Sequence, residues 1–178
     1  MSARGRCFRS LAAAMLAGVF WADAALAQSS EKGCRFETVA GTSRQILKCQ
    51  QGITITVEGG ADFTLVDRDR NGNADGVRLR SKALLLEAPA GGVEGGFVVV
   101  TPQASAAVRG TKWAVDVGQG KTSVFVVRGR VGVQRPAATA GVVLGPGDGV
   151  DVERGTGALT VKHWPAKRVS ALMARFGR

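Results

Sequence analysis

Between Gly52 and Val161 the apolar residues of this chain recur at every second position, and glycine-bearing breaks divide the pattern into short segments. A period of two places successive side chains on opposite faces of an extended strand. A strand with one apolar face must then cover it with another sheet, so the pattern predicts an all-β domain. Ile53, Ile55 and Val57 share a face against Thr54 and Thr56, and Phe63 with Leu65 continues the theme. Val77-Arg78-Leu79-Arg80 alternates cleanly, whereas Ala83-Leu84-Leu85-Leu86 is dense enough to be buried on both sides. Phe97-Val98-Val99-Val100 stops at Thr101-Pro102, because proline has no N–H and restricts the residue before it.

Trp113, Val115 and Val117 face one way, with Trp113 expected in the core, and Lys112, Ala114 and Asp116 face the other. Gly118-Gln119-Gly120-Lys121 is a turn into Thr122–Val127, Arg128-Gly129-Arg130 is a second turn, and Val131-Gly132-Val133 is expected to pair again as an antiparallel meander. Val142-Val143-Leu144 is a further strand, leaving through the tight connection Gly145-Pro146-Gly147-Asp148-Gly149. Val150–Val152 and Leu159–Val161 form a last hairpin around Arg154–Gly157. The expected assembly is short antiparallel strands in a two-sheet jelly-roll-like sandwich or roll, with a short β-solenoid as the alternative.

The period changes at the end of the chain. Val169, Leu172, Met173 and Phe176 stand at i, i+3, i+4 and i+7, which predicts a C-terminal amphipathic helix from Pro165 to Phe176, ending near Gly177. Such a helix either closes an open end of the β-domain or docks a partner with Trp164 beside it.

The other end reads as an address. Arg4, Arg6 and Arg9 precede the apolar run Leu11–Trp21, and Ala25-Leu26-Ala27 offers small residues for cleavage, so residues 1–27 are expected to be a removable secretory signal. The run is too short for a transmembrane helix, and no cysteine directly follows it for lipid attachment. A soluble periplasmic product follows, in which 28–52 is an N-terminal segment, 53–162 the β-domain and 163–178 the helix. Cleavage removes three Arg and one Asp, lowering the formal charge from +10 to about +8. That excess suits an anionic glycan of the cell envelope, but the cations are spread singly and no nucleic-acid partner is implied. Cys34 and Cys49, in an oxidising compartment, are expected to form a disulfide.

Catalytic groupings are missing from the pattern: there is no His/Cys dyad, no Gly-x-Ser-x-Gly elbow and no tyrosine. Asp148 and Asp151 lie in or beside a turn, where aspartate serves the backbone, and His163 reads as a structural or surface group. No enzymatic activity and no required cofactor are expected. The sharper signal is Asp67, Asp69, Asn71, Asn73 and Asp75, oxygen-bearing residues at alternate positions with Gly72 at the sixth, the spacing of a calcium-wrapping loop. Arg78 stands where the twelfth-position glutamate would be, so the loop is either a weak calcium site or a polar turn held by Asx hydrogen bonds. In Val108-Arg109-Gly110-Thr111, Gly110 permits a bend, Thr111 can bond the local backbone, and Arg109 can reach a carboxylate of the fold or an external anion.

Phe97-Val98-Val99-Val100-Thr101-Pro102, Ala107-Val108-Arg109-Gly110-Thr111 and Trp113-Ala114-Val115-Asp116-Val117 together resemble the FecR domain family. The likeness continues through Thr122–Val127, Gly129-Arg130-Val131-Gly132-Val133 and Val143–Val150, covering roughly Ile53 to Val152. It implies a periplasmic β-domain. In the regulators that name the family, this domain is joined through a membrane helix to a cytoplasmic sigma-factor-binding segment and is signalled by a TonB-dependent outer-membrane transporter. Here a cleavable signal stands in place of that segment, so the expected role is a non-enzymatic accessory module that binds another envelope protein. Binding of an anionic glycan is the alternative.

Overall fold

In the computed structural model, which describes residues 30–89, 96–108, 110–136 and 138–178, the alternating segments form strands and the last segment a helix. In chain order the strands are β1 (Ser30–Glu31), β2 (Cys34–Thr38), β3 (Gln45–Cys49), β4 (Thr54–Val57), β5 (Asp62–Val66), β6 (Gly76–Glu87) and β7 (Phe97–Val100). They continue as β8 (Ser105–Val108), β9 (Lys112–Gly118), β10 (Lys121–Arg128), β11 (Val131–Gln134), β12 (Gly141–Leu144), β13 (Asp148–Glu153) and β14 (Val161–His163), followed by α1 (Ala166–Ala174). The all-β class with a C-terminal helix is therefore as expected. The secretory signal lies outside the described residues.

One strand organises the rest. β6 runs for 12 residues and joins Val77–Arg80 and Ala83–Leu86, two segments the sequence reading kept apart. A register shift opposite Asp62–Phe63 and a left-handed Lys82 (φ 62°) separate its halves. The first half is flanked by β5 and, in parallel, by β7; the second half is flanked by β4 and β9, both antiparallel. Two pairing sets thus share β6. The first sheet runs β1-β2-β3-β4-β6-β9-β10-β13-β14 and the second β5-β6-β7-β8-β11-β12, in one open hydrogen-bonded network.

The meander expected after β10 does not form. β11 pairs with β8 and β12 in the second sheet, because both edges of β10 are already taken by β9 and β13. A register shift between Val126 and Arg128, then Gly129 at φ 89°, carries the chain from one sheet to the other. The β6–β7 pair corrects the all-antiparallel expectation in the same way, since a parallel neighbour needs a crossover and not a hairpin.

The main core lies between the two sheets. Leu47, Ile55, Leu84, Leu86, Trp113, Val115, Val124 and Val150 meet Leu65, Val77, Leu79, Phe97, Val99, Val131 and Leu144 there. Ala83 and Leu85, the alternate residues of the dense run, point the other way and join Ala114, Phe125, Trp164, Leu172 and Phe176 in a second cluster beneath α1. All of Ala83–Leu86 is inaccessible to solvent, as a strand buried on both faces must be. The helix closes the fold rather than offering its stripe to a partner. Cys34 and Cys49 face each other across β2 and β3 and are joined by a disulfide, closing a separation of 15 residues.

Candidate functional site

Three places on this scaffold collect polar or unpartnered groups, and the first is the Asp67–Asp75 loop between β5 and β6. The two oxygens of Asp67 accept the amides of Asn71 (3.1 Å) and Gly72 (3.0 Å), while Asp69 accepts the Asn71 amide (3.2 Å) and its side-chain Nδ2 (2.8 Å). Asn71 in turn accepts the Asn73 amide at 2.8 Å. Asp67, Asp69 and Asn71 are thus brought together as nested Asx turns. Asn73 and Asp75 are not part of that nest: Asn73 Oδ1 sits where a Cβ on Gly33 would come within 2.4 Å, and both Asp75 oxygens accept from the Arg68 amide (3.1 Å) and Nε (3.0 Å). Desolvation pushes the Asp67 carboxyl up, but the hydrogen bonds of the Gly72 amide, of Asp69 and of the Asn71 and Arg70 amides together outweigh it and hold the group below the ordinary carboxylate range. Among the described residues, no group of three or more His, Cys, Asp or Glu is placed to hold a metal ion.

The second place is the seam between α1 and the first sheet. Arg168 bonds Asp151 with both terminal nitrogens and Ser123 with one, and its guanidinium lies 3.5 Å above the Trp164 ring, which stacks on Phe125. Arg175 makes a bidentate bond to Asp116 (2.7 and 2.9 Å) and reaches Glu58 as well. Asp116 and then Glu58 raise the Arg175 pKa, so the cation is permanent. These ion pairs were not legible in the sequence, because the Arg175 partners lie 59 and 117 positions away. Asp148 and Asp151 do not converge: Asp148 accepts the Gly145 amide at 3.1 Å and Asp151 serves Arg168. His163 is a surface side chain over Gly147, 3.6 Å from Asp148.

The third is the outer face of the second sheet. Register places Val66, Gly76, Val98, Ala107, Gly132 and Val143 in one row across six strands, and Thr64, Arg78, Val100, Ser105, Gln134 and Gly141 in the next. The small residues Ser105, Ala107, Gly132 and Gly141 leave a trough of about 530 Å³ over β7, β8, β11 and β12, bordered by Arg68 and Val143. At the end of this sheet, Gly110 makes the expected bend at φ 64°. Thr111 does not bond the local backbone as expected: its Oγ1 is buried with no partner among the described residues, as is Trp113 Nε1. Arg109 lies outside the described residues. Thr101 of the Thr101-Pro102 stop has a purpose the sequence reading missed. Its hydroxyl accepts the Ala104 amide (2.9 Å) and shares a hydrogen bond with Thr122 (2.8 Å), tying the β7–β8 turn to β10 in the other sheet.

The family profile described as FecR protein matches residues 35–132. No curated protein matches the sequence. Two crystal structures of a candidate anti-sigma factor from Parabacteroides distasonis, at 1.65 and 2.50 Å, share the fold with TM-scores of 0.58 at 20% and 19% identity. The superpositions take in 78% and 79% of this chain and 64% of those chains, so this protein spans less than two thirds of their length.

Proposed function

Because this chain belongs to the FecR family, we propose that it is a regulatory, non-enzymatic module of the cell envelope that works by binding another protein. The observation that carries this reading is the outer face of the second sheet, where a trough is left open across β7, β8, β11 and β12. So broad an opening suits recognition of a protein surface. The titratable groups at the other two places are committed to one another in turns and ion pairs, leaving none converging on a reacting centre. Among the described residues no helix is long and apolar enough to cross a membrane. The periplasm is the proposed location, following removal of residues 1–27.

The glycan alternative draws no support. A sugar-binding platform needs exposed aromatic rings beside cations, yet Trp113, Trp164, Phe97, Phe125 and Phe176 are buried and Phe36 and Phe63 are half-buried. Affinity capture from envelope extract tests the proposal: the protein is expected to retain a stable protein partner, and retention on peptidoglycan without any protein would overturn it. For the Asp67–Asp75 loop the proposal includes weak calcium binding, with the ion replacing the amide donors of Asp67 and Asp69. Calorimetric titration is expected to give a calcium heat that disappears in Asp67→Ala, and equal heats from parent and variant would rule out the loop.

A further inference from the structure

Among the described residues four strands have only one neighbour and so present a free backbone edge: β1 and β14 in the first sheet, β5 and β12 in the second. Free edges are templates for pairing with another chain, and folded proteins blunt them with charge. β1 carries Glu31, β5 carries Asp62 with its bidentate Arg80 at 2.7 Å, and β14 carries Lys162. β12 is Gly-Val-Val-Leu, with no charge at all. Val143 on that strand is 68% exposed, far beyond the 38% of Val161 on β14.

The surroundings of β12 are open on both faces. On the outer face Gly141, Val142 and Val143 form the rim of the trough of about 530 Å³. On the inner face Gly141 and Val142 border a second cavity of about 220 Å³, closed on its far side by Ala158 and Leu159. A strand added to β12 would turn successive side chains alternately into these two spaces, which is how strand addition combines backbone affinity with side-chain specificity. Arg135 lines the inner space and has no ion-pair partner among the described residues, donating only to the backbone carbonyls of Glu153 and Gly157, whereas Arg68 at the outer space is already paired with Asp75.

We propose that β12 is the docking edge for an extended, acidic strand of a partner protein, which pairs with its free backbone and sets alternate side chains into the two flanking cavities. The inference rests on the protein-binding reading above and specifies its geometry. A second copy of this chain is the poorer occupant. It would bring an equal excess of positive charge to the edge beside Arg135.

Titration of the isotope-labelled full chain tests it, using a synthetic peptide that alternates Glu with Val or Thr and a control with Lys in place of Glu. Amides of Gly141–Leu144 are expected to shift and gain exchange protection with the acidic peptide, and the lysine peptide is expected to bind about tenfold more weakly. Val143→Glu should weaken the acidic peptide by at least about tenfold, while Val161→Glu, on the edge of the first sheet, should leave it unchanged. Shifts confined to β5 or β14, equal binding of both peptides, or a dimer that protects β12 without peptide would overturn the proposal. Envelope capture with both proteins separates the two levels. A partner held equally by parent and Val143→Glu overturns the docking edge alone, whereas a parent that captures no protein refutes the protein-binding reading and leaves the edge to the peptide result.

Discussion

Asp151 shows how a single side chain governs the helix seam. Partial burial pushes its carboxyl up, but the hydrogen bonds from Arg168 and Ser123 and the Arg168 charge outweigh that and hold it below the usual range. A carboxyl depressed in the folded state contributes stability that is complete above its unfolded value, about 3.9, and is lost as the pH falls through the folded one. Protection factors across Ala166–Ala174, which remove the intrinsic pH dependence of exchange, should therefore fall below about pH 4, and Asp151→Asn should flatten that dependence. Gly149 tests the same seam by volume. An added Cβ there would lie 2.3 Å from the Trp164 ring, so Gly149→Ala should cost about 1–3 kcal/mol in denaturant unfolding.

Two elements depend on links that their own sequences do not contain. β2 and β3 are short, exposed in part and held at one end by the Cys34–Cys49 disulfide. Reducing it, or replacing both cysteines by alanine, frees a loop of 15 residues and should lower stability by about 3 kcal/mol. α1 has only 9 residues, too few to persist alone, and takes its stability from Leu172 and Phe176 and from Arg168 and Arg175. Arg175→Met leaves Asp116 and Glu58 without their cation. Amide exchange should rise in α1 while the β9–β10 hairpin keeps its protection.

Across the whole molecule, Trp113 is the residue on which both sheets close. It is fully buried in the shared core, so Trp113→Ala should cost about 3–5 kcal/mol and lower the transition of both sheets together in thermal unfolding. Much of this architecture was readable in advance because it is local. The local pattern assigned Trp113 to the core, Ala83–Leu86 to burial on both faces and Gly118–Lys121 to a turn, in which Gln119 and Gly120 take φ values of 52° and 76°. The Asx nest at Asp67–Asn71, one of the two readings the spacing left open, is local in the same way, since its bonds span five residues or fewer.

The local apolar period determined which face of each strand is apolar and where the helix begins. Only the tertiary structure decided that β11 leaves β10 for β8, that β7 lies parallel to β6, that Asp75 turns to Arg68, and that β12 is left as an uncharged edge. The physical reason is that strands pair through backbone groups common to every residue. A segment's own side chains thus set its faces but not its neighbour, and the neighbour is chosen by packing among segments far apart in the chain.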